Sequence, residues 1–465
     1  DPLVDAGVWL GNKVNDIGAN LWWKVGLPNE KVADEHFTIL YNTRAGMTLD
    51  RALAVHEGLS MAHTRFRTWG YAVPGHVIVT LDRDLAEEGS ASGLGRLGHW
   101  NASVAGWLAF DDLTSVSAHE LFHIIQYENL SYAARALKSQ WKWFMEGSAV
   151  WAEMITFPDS NSAKDYTKNG SDFVHLGLDG LGGATDDQAY ASAALIHHLE
   201  DQHAGAVLEI LRAVGAFTWP DDALRAVVGD VPAFLESFAL AYFGGQVAPY
   251  DGWDLSRAFL PPRVLANPST SLIDRAMPSE SIVAARAATA PGTPQPVSFA
   301  EATGSVLRAA HRSELQRTLL LDGAGRPQER LDGLGTPEGI ALAKAETFTP
   351  ANPLTIVHVN GDPPGSFARN PAVVFEVPTL DQVTPATFHH ASAVELTATG
   401  GGFGDGAARG HLVVFYQEHV TSQWSDGSVT ASLPANAVTP MTVPVLVRHR
   451  AGVDSNVRTV TATGN

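Results

Sequence analysis

The stretch that most constrains this chain is Ser117-Ala118-His119-Glu120-Leu121-Phe122-His123-Ile124-Ile125-Gln126, two histidines flanking a glutamate in an HExxH pattern. Positions i and i+4 of an α-helix share a face, so His119 and His123 can aim imidazole nitrogens at one ion. Glu120 is turned about a quarter of the way round, suited to reaching a water on that ion rather than the ion itself. Ala118, Leu121, Ile124 and Ile125 make the other flanks apolar, and a helix apolar nearly all round is a buried one. Histidines and a carboxylate inside such a helix need partners to offset desolvation, which a metal ion supplies. Asp112 or Thr114 is the expected cap at its start.

A catalytic zinc site takes three protein ligands and keeps a fourth position open. After 22 intervening residues comes Glu146, the candidate third ligand, in a second helix-like run, Trp143-Phe144-Met145-Glu146-Gly147-Ser148-Ala149-Val150-Trp151-Ala152-Glu153. Glu153 lies on the same face two turns on, a rise of about 10 Å, too far for both carboxylates to reach one ion. It is therefore assigned to orienting a ligating histidine. The plain alternative for either glutamate is a solvated helix face.

HELFH followed by EGSAVWAE resembles the gluzincin zinc metallopeptidases, above all secreted bacterial enzymes with an EG-T/S-A-x-W-x-E segment. The resemblance runs roughly from Phe37 to Gly205. It implies zinc on His119, His123 and Glu146, Glu120 as general base, and a zincin-like α+β domain with strands N-terminal, helices C-terminal and the active-site helix between them. Members of the thermolysin type carry an acidic residue four positions after the glutamate ligand, where this chain has Val150.

A length of 465 residues exceeds what one core usually supports, so several domains are expected. The net charge of -19 offers no basic face for phosphate backbones, which argues against a nucleic-acid partner. No apolar run reaches transmembrane length. With no cysteine there is no disulfide, thiol nucleophile or cysteine-based zinc site. A start at Asp1 without a basic-then-apolar leader is consistent with a removed signal peptide or a trimmed chain, and the family resemblance favours a secreted or cell-surface bacterial protein.

Along the chain, an amphipathic stretch around Val8 to Trp23 precedes a strand over residues 36–41. Ala52, Val55, Leu59, Ala62, Phe66 and Trp69 then recur at helical spacing, with Thr48 as cap and Gly70 as stop. Residues 76–81 (HVIVTL) read as a buried strand. Gly93, Gly95 and Gly98 match GxGxxG but neither follow a strand at once nor open a helix, so residues 90–98 read as a loop and the dinucleotide reading fails. Residues 101–111 read as a strand before the HExxH helix. Ala105, Gly106, Trp107, Leu108 and Ala109 are expected to form an edge that pairs with a substrate backbone, the alternative being an ordinary core strand.

The polar, glycine-rich segment 159–187 suggests a functional loop at a cleft rim. Helical patterns resume over residues 188–202, 204–217, 221–228 and 232–243. An oxyanion stabiliser is also required, and Tyr190 is the choice, with Tyr166, His175 and the pair His197-His198 as rivals and a packed core tyrosine as the plain alternative.

Past Tyr242, Pro261, Pro262, Pro268 and Pro278 punctuate a linker, and short alternating runs replace helical periodicity. Strands are expected over residues 305–308, 318–321, 354–359 and 372–377, in a β-sandwich. The tail resembles an IPT/TIG module, an immunoglobulin-like domain, in Val383-Thr384-Pro385, Thr399-Gly400-Gly401-Gly402-Phe403-Gly404-Asp405, Trp424-Ser425-Asp426 and Leu433-Pro434. The expected domains are thus residues 1–262, peptidase-like; 269–380, a β-sandwich; and 381–465, immunoglobulin-like.

Two functions from different classes follow. One is a secreted zinc endopeptidase acting on protein or peptide substrates through a metal-activated water, with Glu120 as base. The other is a surface binding or adhesion protein with a structural or vestigial zinc site, its β modules meeting a cell-surface or matrix partner. Glu120 favours the first, because a structural site needs no base. No G-x-S-x-G elbow appears, and calcium (Ca2+) at the acidic loops has no motif behind it.

Overall fold

The structure, a computed structural model, describes residues 28–85, 88–94, 99–130, 141–159, 169–214, 219–247, 255–265, 269–273, 275–290, 303–322, 325–332, 339–343, 347–364, 372–404 and 410–464. The stretch Val8 to Trp23 and Tyr166 lie outside them. The chain divides into two compact units. Residues 1–171, 181–229 and 247–254 form the first; residues 172–180, 230–246 and 255–465 form the second. The protein is multidomain, with helices and several β-sheets, as the sequence leads one to expect at that level.

In the first unit, β1 (Glu30–Ala33), β2 (Phe37–Tyr41), β3 (Val77–Asp82), β4 (Gly89–Leu94) and β5 (His99–Ala105) form a mixed sheet of order β1-β2-β3-β5-β4. Strands β2, β3 and β5 run parallel, and β1 and β4 pair antiparallel at the two edges. Helix α1 (Leu49–Thr68) begins where expected, Thr48 Oγ1 accepting the Arg51 N–H at 3.3 Å. It buries Ala52, Val55, Leu59, Ala62 and Phe66, the stripe its spacing predicts.

Three expectations need correction here. Residues 89–94 are not loop: the Ser/Gly-rich run pairs along the outer side of β5, because backbone hydrogen bonds need no β-branched side chains. That places β5 inside the sheet, and Ala105 is its last residue; Gly106, Trp107, Leu108 and Ala109 form the turn that follows, so the substrate-pairing edge expected at 105–109 is absent. Helix α2 (Phe110–Asn129) starts before the expected caps, at Ala109 without a side-chain cap bond. Asp112 instead lies in its first turn, where a negative charge complements the helix dipole, and Thr114 Oγ1 donates to Asp111 O at 2.8 Å.

After α2 come α3 (Lys142–Thr156), α4 (Asp186–Ala191), α5 (Ala193–Gln202), α6 (Ala206–Ala213) and α7 (Pro220–Val228). The single helix expected over residues 188–202 is broken at Ser192, whose hydroxyl bonds the carbonyls of Ala189 (2.6 Å) and Trp143 (2.7 Å). No single helix among the described residues is long and apolar enough to cross a bilayer.

In the second unit, helix α8 (Val231–Phe243) packs against β8 (Ser281–Ala288) and β13 (Leu354–Asn360), so residues expected with the N-terminal part cluster with the β region. One sheet pairs β8 and β13 with β6 (Arg263–Val264), β10 (Gln316–Leu321) and β11 (Pro327–Asp332). The facing sheet holds β7 (Ser269–Ile273), β9 (Ser305–Ala310), β12 (Gly339–Leu342) and β14 (Ala372–Glu376). Val283, Ala285 and Ile356 of the first meet Leu272, Leu307 and Phe375 of the second in one core. Strand β13 is buried on both faces, since helix α8 covers the face turned away from that core.

The remaining strands form a second pair of sheets around Leu396, Phe403, Val429, Val445 and Val460. The glycine-rich turn and Trp424-Ser425-Asp426 lock together there: Trp424 Nε1 donates to Gly404 O (3.2 Å), and Asp426 accepts the Gly404 N–H (3.0 Å).

His358, on β13, is fully buried; its Nδ1 faces Thr318 Oγ1 at 2.9 Å and its Nε2 has no hydrogen-bond partner among the described residues. Burial, helped by His311, holds its pKa down to about 3, so the fold keeps it neutral while the unfolded chain takes up a proton below about 6.5. Stability from this site is complete above pH 6.5 and is lost toward pH 3, at up to about 1.4 kcal/mol per pH unit. His358→Gln is therefore expected to flatten the fall in urea midpoint between pH 7 and pH 4 for the transition of the second unit; parallel pH curves for the two proteins would reject this.

Candidate metal centre

Helix α2 is buried without interruption from Ser115 to Gln126, and His119, Glu120 and His123 sit in that buried run. Helix α3 lies beside it and brings Glu146 to the two rings. His119 Nε2 and His123 Nε2 stand 3.4 and 3.3 Å from the same oxygen, Glu146 Oε2. The rings themselves are 4.7 Å apart and nearly perpendicular. Among the described residues these three are the group whose donor atoms converge as metal ligands do.

The spacing favours a cation over plain hydrogen bonding. Tetrahedral ligands about 2.0–2.2 Å from an ion are about 3.3–3.6 Å from one another. Hydrogen bonds between nitrogen and oxygen are usually shorter, about 2.7–3.2 Å. The three residues thus fit a metal ion with one corner left over.

Both imidazoles are held from behind. His119 Nδ1 faces Glu153 Oε2 at 3.4 Å, so Glu153 meets the ring nitrogen opposite the one that faces Glu146. His123 Nδ1 faces Gln126 Oε1 at 2.8 Å. The Gln126 amide is pinned in turn, its Nε2 donating to Met145 O (2.7 Å) and Ser148 Oγ (2.8 Å), which leaves Oε1 as acceptor and the proton of His123 on Nδ1. Gln126 is the residue that sequence reasoning missed. Its signal was an amide three residues past His123 on a helix otherwise apolar around it.

Two glycines allow the close approach. A Cβ on Gly147 would lie 2.3 Å from Ser192 Oγ, so only glycine lets α3 lie against the α4–α5 break. A Cβ on Gly89 would lie 2.3 Å from Glu120 Oε1, which puts edge strand β4 directly over the glutamate.

Glu120 is nearly buried, and its Oε2 has no hydrogen-bond partner among the described residues. Burial raises its pKa against the pull of His123 and His119. Burial lowers both histidines, yet the carboxylates prevail: Glu146 and Glu153 lift His119 to about 10, and Glu146 lifts His123. Glu146 moves well below the usual range, the two rings outweighing its desolvation. The site is arranged for positive charge at its centre.

A cleft of about 460 Å³ opens on His119, Glu120, Glu146 and Glu153, lined also by Trp107, Val116, Lys142, Asp186 and Tyr190. Lys142 pairs with Asp186 across it. The ring of Tyr190 lies 6.1 Å from that of His119. Of the candidate edge residues, Trp107 reaches the cleft, its Nε1 donating to Leu85 O at 3.0 Å. Ala105, Gly106, Leu108 and Ala109 are not among its walls; Leu108 O accepts from Arg51, and the Gly106 N–H donates to Asp82 O. His175 belongs to the second unit, its Nε2 3.0 Å from Ala258 O, and His197 and His198 are buried on α5, away from the cleft lining.

No protein-family model matches the sequence, and no curated protein matches it significantly. Among solved structures, the crystal structure of gamma-CGTase from Alkalophilic bacillus clarkii is 17% identical over 34% of this chain and 23% of that one, with a TM-score of 0.17. A likeness of that size says nothing about fold or activity here.

Proposed function

We propose that the chain is a secreted zinc-dependent endopeptidase of the gluzincin type, with a zincin-like first unit and an IPT/TIG-like C-terminal module. The observation that carries this reading is the convergence of His119, His123 and Glu146 on one point, with His119, Glu146 and Glu120 lining an open cleft and Glu120 Oε2 without a partner among the described residues. Two imidazoles and one carboxylate suit zinc, and the corner left over suits catalysis rather than a closed structural site. Bound there, zinc would polarise a scissile carbonyl and acidify a water.

The protein's own groups do the rest. Glu120 takes a proton from the attacking water and passes it to the amide nitrogen as the C–N bond breaks. Its burial suits that task, since no donor among the described residues competes for Oε2. Glu153 and Gln126 hold the two rings in one tautomer and orientation. Tyr190, on the cleft wall, is the group proposed to donate to the oxyanion. The free side of edge strand β4, rather than 105–109, offers backbone groups for an extended peptide.

Glu120→Gln should lower casein or peptide turnover by about 10²–10⁴-fold while metal content stays at wild-type level; a variant that cleaves at the original rate removes Glu120 from the chemistry. Glu146→Ala should leave the dialysed protein free of metal by elemental analysis. Gln126→Leu should weaken zinc about 10–100-fold in a chelator competition, and an unchanged affinity would reduce Gln126 to packing.

A further inference from the structure

A second cavity in the first unit, about 390 Å³, lies beside helix α1 and is not part of the metal centre. Ser60, His63, Thr64 and Arg67 line it at helical spacing, facing Asp34 and His36 from the start of β2. His63 is only 6% exposed, yet neither ring nitrogen has a hydrogen-bond partner among the described residues and neither is sealed off from solvent. The Arg67 guanidinium and the Ser60 hydroxyl likewise have no partner there. A buried imidazole is normally satisfied, so His63, with the half-buried Ser60 and the exposed Arg67 beside it on one face of the cavity, points to a ligand.

The neighbours decide its sign. His63 is fixed by stacking on His36, with ring centres 4.3 Å apart, and by the edge of Phe37 at 5.7 Å. The carboxylate of Asp34 is already occupied: Oδ1 accepts the N–H groups of His36 and Phe37, and Oδ2 faces His56 Nε2 at 2.8 Å. His36 faces Glu35 Oε1 at 3.0 Å and Gly75 O at 3.4 Å. A metal does not fit, because this cluster does not bring three ligand atoms together. Burial, with His36 and Arg67 adding positive charge, holds His63 below its ordinary pKa, a cost that a nearby negative charge would offset.

We propose that this cavity is a binding site for a compact oxyanion, a phosphate or carboxylate group of a ligand, held by Arg67, the His63 ring N–H and the Ser60 hydroxyl. Guanidinium and imidazole donors grip such groups through charge-assisted hydrogen bonds.

Calorimetric titration of the full-length protein at low ionic strength, with inorganic phosphate and separately with acetate, tests this. Saturable binding of either anion, weakened about fivefold or more both in Arg67→Ala and in His63→Gln and partly restored in Arg67→Lys, supports the site. A preference for phosphate would point to a phosphorylated ligand, and a preference for acetate to a carboxylic acid. Arg67 is exposed and has no partner among the described residues, so its removal leaves the fold in place, checked by circular dichroism. Absence of saturation up to about 50 mM of both anions, or binding that changes less than fivefold in Arg67→Ala, as anions at the metal centre would behave, overturns it.

Discussion

The first unit answers to one constraint: two imidazoles and two carboxylates, those of His119, His123, Glu120 and Glu153, are buried in a largely apolar helix pair. Desolvation alone would drive such groups to their neutral forms or out to water. Glu146 and Glu153 outweigh it for the histidines, and the histidines outweigh it for Glu146. That mutual support needs contact distances, so α2 and α3 must lie close and in one register. Gln126 meets that need through hydrogen bonds to Met145 O and Ser148 Oγ on α3, while Gly147 lets α3 sit against the α4–α5 break behind it.

The second unit obeys the same rule with different residues. Glu376 is 1% exposed, and Arg308 from the adjoining strand bonds its Oε1 through both Nε (3.0 Å) and Nη2 (2.7 Å). His449, from the C-terminal module and wholly buried, stands 3.8 Å from its other oxygen. A charge buried between two β-modules resists separation of its partners, because parting them would leave it unpaired. Arg317 and Arg330 reach Glu236 on helix α8 in the same way and tie that helix to the sheet it covers.

What was legible in the sequence follows from how local each signal is. The HExxH spacing and the apolar flanks place His119, Glu120 and His123 on one buried helix, and a second helix-like run with carboxylates seven residues apart yields Glu146 near the rings and Glu153 behind them. Gln126 was hidden because its role depends on Met145 and Ser148, residues of another helix. Strand β4 was hidden because Gly-Ser-Ala-Ser-Gly-Leu has little strand propensity and is held by its pairing to β5. Strand β8, Ser-Ile-Val-Ala-Ala-Arg-Ala-Ala, has a composition that favours helix in isolation, overridden by burial between β13 and the facing sheet. On α1 the apolar stripe was evident, whereas Ser60, His63 and Arg67 acquire meaning only when β2 closes a cavity over them.

The two cavities of the first unit differ in which kind of group the protein leaves unsatisfied, and that difference sets what each can receive. In the cleft over α2, the partnerless atom is a carboxylate oxygen beside a third carboxylate and two ring nitrogens turned inward, all acceptors once the rings are neutral. Such a set attracts a cation and a proton to be moved. Beside α1, the groups without a partner among the described residues are a guanidinium, an imidazole and a hydroxyl, and the local carboxylates are already matched by His56, His36 and backbone N–H groups. Donors without acceptors select an anion. A chain with a net charge of -19 repels anions at long range, so affinity there must come from short-range contacts to the buried His63 and to Arg67 rather than from the field of the whole molecule.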